Sequence, residues 1–451
     1  MSGEAGAGPA TRPADPALTH RRVLAIAVPI VISNATIPIL GAVDTAVVGQ
    51  LGEAAPIGAV GLGAVILSML YWTFGFLRMG MTGLVAQARG QGDAGETAAL
   101  MTRSLIVAAV AGVGLVALQG ALFGAAFAIA PASEAVEALS RDYLRIRIWG
   151  APAAIAIYGL TGWLIAFERT RAVLVLQFWM NGVNVVLDVW FVLGLGWGVE
   201  GVAWATLAAE WSALALGLWL CRGAFAGRVW RERARVFHAA RVRHMAQVNG
   251  DILVRSLLLQ ACFTTFLFLG AGLGDVTLAA NQILMQFFYI TAYALDGFAF
   301  AAEALVGWAY GARSVARVRR AALLASQWAA AMAAVLALAA VLGGPLLIDL
   351  MTTAPEVREA ARAHLLWMAL TPVLGVTAFM LDGVFIGATR TRDMRNAMVV
   401  STLIYGVALA ALVPAFGNQG LWAAMMVLFV ARALTLALRY PALEAAASGG
   451  R

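Results

Sequence analysis

Long apolar stretches, each about as long as a bilayer core is thick, recur along this chain and are separated by short polar intervals. A membrane-spanning helix needs about 20 mostly apolar residues, because no water is present there to satisfy its backbone. Twelve such segments can be marked: 22–47, 57–87, 102–128, 144–167, 173–195, 199–221, 245–270, 277–308, 319–342, 359–387, 396–416 and 419–439. They predict an all-α membrane protein of twelve transmembrane helices, numbered helix one to helix twelve in this order. The intervals are too short for an extramembrane domain. Met1–Leu18 is rich in Gly, Ala and Pro and has no apolar run, so residues 1–20 are expected to be a disordered tail rather than a cleaved signal.

Composition supports the membrane reading. The 451 residues are 62% hydrophobic and 12% charged, with a mean hydropathy of +0.84; soluble chains run at about 45–50% apolar and about 25% charged. All 31 basic residues are arginines, and their placement tests the helix count independently, since arginines of short loops are retained on the cytoplasmic side. With the N-terminus inside, 23 of the 31 fall in the cytoplasmic set, including the block from Arg222 to Arg243 between helices six and seven. Arg141, Arg145, Arg147, Arg358 and Arg362 fall on the other side, and Arg78, Arg255 and Arg432 lie inside helices. Both termini are therefore expected in the cytoplasm, in a multi-pass protein of a bacterial inner membrane. The net charge of +7 never gathers into a basic-aromatic stripe, so no nucleic-acid partner is implied. Cys221 and Cys262 have no close partner, and His20, His238, His244 and His364 show no metal-ligand spacing.

The Arg-rich interval divides the chain near its middle, and the halves repeat. Leu84–Gln91 (LVAQARGQ) matches Leu305–Ala312 (LVGWAYGA) at four of eight positions; Leu160–Arg171 matches Leu381–Arg392 at six of twelve; both pairs share an offset of 221. Six helices per copy give both halves the same orientation, related by a pseudo-two-fold axis along the membrane normal. The expected organisation is a first lobe at 21–221, a linker at 222–244, a second lobe at 245–440 and a tail at 441–451. Parallel repeats of this kind recur in secondary transporters, whose cargo passes between the halves; duplication alone reports ancestry.

Ionisable groups inside a span are costly and are functional candidates by default. Asp44 lies near the outer end of helix one, which also carries Pro29 and Pro38, each of which removes a backbone donor and loosens a turn. Such a helix can bend when its acid changes charge; the plainer alternative is that Asp44 reaches the headgroups. Asn181, Asn184 and Asp188 fall on one face of helix five. They suit a shared proton, a small cation or a bridging water, or else an interhelical hydrogen-bond clamp. A carboxylate withdrawn from water holds a proton more readily, and a neighbouring carboxylate or donor separates the proton affinities of such groups. Arg78 in helix two pairs with a buried carboxylate, bonds to carbonyls or snorkels. Asp251, Asp296, Glu303 and Asp382 are the second lobe's acidic candidates.

These residues resemble the multidrug and toxic compound extrusion (MATE) family, in its DinF-like branch. The resemblance spans about residues 20–440 and rests on Pro29, Gly41-Ala42-Val43-Asp44-Thr45, Phe74–Leu84 running into Ala86–Gly90, and Asn184–Asp188. It implies two six-helix lobes in a V that exports drug-like, often cationic or amphipathic compounds in exchange for protons or sodium. Asp44, Asn184 and Asp188 would then be the cation-coupling group, with sodium as an alternative occupant, and Tyr143, Thr206 and Asn181 polar lining of the first lobe's cavity. At the repeat offset Asp44 meets Thr265 and Asp188 meets Leu409, so that group is not duplicated. The expected energy source is a proton or sodium gradient with no cofactor, the expected partners are small-molecule cargo and lipid, and the expected unit is a monomer. A lipid-linked glycan flippase is the alternative. An intramembrane enzyme fits poorly, since no metal motif or nucleophile elbow occurs.

Overall fold

A computed structural model describes residues 17–449, with the side chains of 37–40 and 42 outside the description. The expectation of a disordered tail therefore falls, over residues 1–16, outside the described residues. The described chain is built of helices, with no strand among the described residues.

Among the described residues ten helical runs are long and apolar enough to cross a membrane; the last holds two spans, and two shorter pieces outside the ten make up helix one, which gives twelve. Helix one is divided at Thr36 into His20–Ala35 and Ile37–Gly49, each short on its own. Pro38 stands in the first turn of the second piece, where a missing N–H costs least, whereas Pro29 lies inside the first piece without breaking it. Helices eleven and twelve share the run Thr391–Ala437, which leaves helical geometry at Gly417 (φ 56°, ψ −129°). The chain folds back there, bringing Ser401 Oγ to 3.3 Å from Thr435 Oγ1. Helix two joins Ala54–Trp72 to Phe76–Gln91, helix three Ala94–Ala117 to Gln119–Ile129, and helix four Glu134–Arg147 to Ala151–Ala166. Thr170–Asp188 and Gly198–Leu220 are helices five and six; Ala239–Gly272, Asp275–Gly311, Val315–Met351 and Pro355–Gly387 are helices seven to ten.

The repeat is visible atom by atom. Gly162 packs where a side chain would strike the Arg78 carbonyl, and Gly383, 221 residues on, packs the same way against the Ala299 carbonyl. Gly90 lies on the Trp308 carbonyl and Gly311 on the Gln87 carbonyl, the same relation read from the two sides of one crossing of helices two and eight. Left-handed backbone recurs at the same offset, at Gly92 (φ 77°) with Arg313 (φ 53°) and at Glu168 (φ 59°) with Thr389 (φ 50°). The last pair ends helices four and ten, and the following N–H closes each turn on a carbonyl five residues back, Arg169 on Leu164 and Arg390 on Phe385. The molecule is thus two six-helix lobes about a pseudo-two-fold axis.

The main contacts between lobes lie toward the end where the termini and the linker sit, called here the basic end. Gly83 packs on Ile386, Gly307 on Ala86, and Gly297 on Val31. Gln87 donates to the Gly387 carbonyl (3.0 Å) and to Thr389 Oγ1 (2.9 Å), and Asn34 donates to the Tyr293 carbonyl (3.1 Å). Beyond Thr36, helix one packs on helices two, five and six of its own lobe. The two lobes therefore diverge away from the basic end. At that end Glu168 accepts from Arg22 Nε (2.7 Å) and Arg89 (2.8 Å), and Arg103 donates to the carbonyls of Val236 and Arg235, both at 2.7 Å, fastening the linker to helix three.

Candidate functional site

Helix five delivers its polar residues to one face, as the spacing predicts: Asn184 and Asp188 are fully buried and Asn181 is half-buried. Asp188 ends the α-helical part and runs into a π-helical stretch, Val189–Gly194, a local widening often found at functional positions. The outer piece of helix one brings in Asp44, and the carboxyl groups of Asp44 and Asp188 come within hydrogen-bonding reach of each other. Asp44 is half-buried, while its Oδ1, both oxygens of Asp188 and Oδ1 of Asn184 are buried without a hydrogen-bond donor among the described residues. Asn184 donates its amide to Thr206 Oγ1 (2.9 Å), and Thr206 donates to the Val202 carbonyl (2.9 Å). That chain fixes the amide so that its carbonyl oxygen is the free end.

Asn181 reaches back to the break in helix one, donating to Thr36 Oγ1 (3.1 Å) and accepting from Gln177 Nε2 (3.0 Å). Beside the acid pair lies a buried ion pair that sequence reading did not single out. Arg147 grips Glu210 with both guanidinium nitrogens, at 2.8 and 3.0 Å. Its Nε stands 3.4 Å from the Tyr143 hydroxyl, and Tyr71 donates to its carbonyl at 3.2 Å. Arg147, expected with the outer-loop arginines, is thus a buried residue of the first lobe, because Glu210 neutralises it there. Glu210 lies within helix six, so the rule that flagged Asp44 as a charge inside a span would have found it. Tyr143 is buried behind Gly63, its ring filling the space a side chain there would take.

A second polar group lies between the lobes and in the second lobe. Arg78 of helix two meets Glu303 of helix eight across the interface, at 3.0 and 3.4 Å, with its guanidinium 3.7 Å from the centre of the Phe300 ring. Asp382 is bound by both Arg255 and Arg432, the latter at 2.5 Å. Asp251 accepts from Arg395 (2.6 Å) and Thr391 (3.2 Å). Asp296 is half-buried near the charges of Arg78 and Arg255, without a hydrogen bond to any described residue.

A family model described as MatE matches residues 29–190 and 252–412, once in each lobe. It belongs to the MatE family. This MatE chain is 39% identical to "DNA damage-inducible protein F" of Escherichia coli (strain K12), over 94% of its own length and 91% of the relative's. It is 27% identical to a Synechococcus protein named "Probable multidrug resistance protein NorM", with 89% of each chain covered. The crystal structure of the Vibrio cholerae MATE transporter VcmN in the bent form shares its fold, with a TM-score of 0.84 at 18% identity over 96% of this chain and 98% of that one.

The two lobes of this MatE chain differ where the acid pair sits. At the repeat offset Asn184 is replaced by Tyr405, Asp188 by Leu409, Arg147 by Met368 and Glu210 by Ala431, all four of them buried and none charged. The fold is duplicated and the polar site is not.

Proposed function

We propose that this MatE chain is a secondary active antiporter that exports drug-like, cationic or amphipathic small molecules in exchange for protons. Asp44 and Asp188 hold the proton and Asn184 steadies them. One observation carries the reading: two carboxyls face each other, Asp188 fully and Asp44 partly buried, and their buried oxygens have no donor among the described residues. As carboxylates neither can donate to the other, so the pair closes only when a proton, or a small cation in its place, is shared between them. The nearby arginine does not fill that role, since Glu210 already occupies both arms of Arg147.

The cycle follows from charge. With the pair ionised, the cleft wall beside helix one is negative and favours a cationic cargo. One proton from the open side removes one of the two negative charges, weakens the hold on the cargo and allows helix one to readjust at Thr36, where its hydrogen-bond ladder is already broken. Cargo moves the lobes only through a difference in its affinity for the two arrangements. The membrane potential supplies about 2.3 kcal/mol per charge per 100 mV, so one inward proton sustains about a fiftyfold gradient of a neutral solute.

Support for a single coupling site in the first lobe comes from the second lobe's four candidate acids: Asp251, Glu303 and Asp382 each already hold an arginine, and Asp296 has no second carboxyl hydrogen-bonded to it. Asn181, half-exposed beside the break, lines the cargo path, with Thr206 and Tyr143 behind the coupling group. The arginine distribution supports cytoplasmic termini in an inner-membrane protein, taken here to act as a monomer. The name of the Synechococcus relative supports drugs as cargo. A flippase for pyrophosphate-linked glycans would want free arginines along the cleft, whereas Arg78, Arg255 and Arg432 are each paired. Proteoliposomes given a proton gradient or a sodium gradient separately test the reading. Ethidium accumulation is expected with the proton gradient alone; accumulation with sodium alone would replace the proton, and none with either would refute antiport.

A further inference from the structure

Partly exposed ion pairs from Arg241 of helix seven to Asp93 and Glu96 edge the interface between the lobes at the basic end, which is otherwise mostly a close fit of glycines, alanines and backbone. Such contacts hold surfaces together without fixing one arrangement, because helices can slide or part over them at small cost. Arg78 and Glu303 are different. Both are buried, they belong to opposite lobes, and the guanidinium fork meets the carboxylate with two hydrogen bonds while its face lies on Phe300. By helical rise, Glu303 stands roughly 12 Å and Arg78 roughly 20 Å inside the ends of their helices at Gly311 and Gln91. The pair therefore lies deep in the interface between the lobes, with the Gly297–Val31 and Asn34–Tyr293 contacts farther out along helix eight.

The repeat makes this pair single. At the offset of 221, Arg78 corresponds to Ala299 and Glu303 to Thr82, so the mirror contact would join Thr82 to Ala299 and has no charge. An ion pair that breaks the symmetry of a symmetric interface, inside a membrane, is expensive to keep unless it acts. Separating its members strands an arginine and a glutamate in a poorly solvated place, which is a far larger penalty than parting two apolar surfaces.

We infer that the Arg78–Glu303 pair is a latch that holds the lobes closed at the basic end, and that its rupture is the step that lets this end open during transport. Arg78 and Glu303 are positioning residues: their hydrogen bonds are to each other and not to the coupling pair, and they act by setting the balance between the two arrangements. The latch rests on the alternating-access reading above, but not on what is carried or on which ion drives it.

The test needs neither cargo nor gradient. Spin labels are placed at Arg171→Cys and Arg392→Cys, exposed and symmetry-related positions at the basic end of the two lobes, in a Cys221→Ser/Cys262→Ser background. Distances are measured by pulsed electron resonance in nanodiscs. The parent is expected to show one short-distance population. Glu303→Gln and Arg78→Gln should each raise the ratio of long to short distances by about tenfold or more, and the charge swap R78E/E303R should return it toward the parent. Single variants that leave the distances unchanged, or a monodisperse swap that does not recover them, overturn the latch. Where both single variants fail to yield monodisperse protein, recovery of fold and short distance by the swap supports it, and failure to recover them refutes it. Ethidium transport measured in parallel with Asp44→Asn separates the claims: a latch that responds as expected while Asp44→Asn transports normally removes the coupling site and leaves the latch.

Discussion

Single residues in this protein act in proportion to what already satisfies them. Glu168, in the turn between helices four and five, is saturated: burial opposes its ionisation, but the hydrogen bond from Arg22 and the charges of Arg89 and Arg22 outweigh that and hold its carboxyl below the usual glutamate range. A carboxyl lowered in the folded state stabilises above its ordinary value of 4.5, and that contribution is lost as pH falls through the lower folded value. Glu168→Gln should therefore lower stability by about 1–3 kcal/mol at neutral pH. Thermal unfolding in detergent should show the gap between parent and variant closing at acid pH; a gap that persists there would mean that packing, not charge, is responsible. Asp44 and Asp188 are the opposite case, since what they lack is a donor. Charge inside a span pointed to Asp44 and Asp188 from sequence alone, and the spacing on helix five joined Asn184 to them. The partners of Arg78, Asp382 and Arg147 were not legible, because side chains 225, 50 and 63 residues away satisfy them.

Among the elements, helix one carries the most consequence. Its inner piece packs on helix eight of the other lobe, its outer piece carries Asp44 within the first lobe, and Thr36 lies between. Asn181 ties that break to helix five. Removing the amide by Asn181→Ala should raise hydrogen exchange over Val31–Thr36 by about fivefold, the effect of one net hydrogen bond, with exchange in helix two unchanged. Equal exchange in both proteins would show that the break is held by packing alone. The apolar stretches located the twelve spans, yet they did not show that helix one is broken at Thr36 rather than bent at Pro29. Proline pattern marks where a donor is missing, while the neighbouring helices decide which of two weak points gives way.

At the scale of the whole molecule, two short sequence matches with one offset foretold the architecture, because glycines at lobe contacts and left-handed turn residues have to recur when a packed unit is duplicated. What the duplication could not foretell is where the lobes depart from each other: the acid pair with its Arg147–Glu210 neighbour in the first, the arginine-bound acids in the second, and the buried Arg78–Glu303 ion pair across the interface. A symmetric frame with an asymmetric polar interior suits a machine in which one lobe senses a cation and both lobes move.

The central claim is that cargo and proton compete for the Asp44–Asp188 pair. It is tested most directly by counting protons released when ethidium binds the purified protein in weakly buffered detergent solution with a pH indicator. The account predicts release of about one proton per ethidium by the parent, with folded Asp44→Asn and Asp188→Asn releasing none. Tight ethidium binding by the parent without proton release, or undiminished release by both variants, would contradict it.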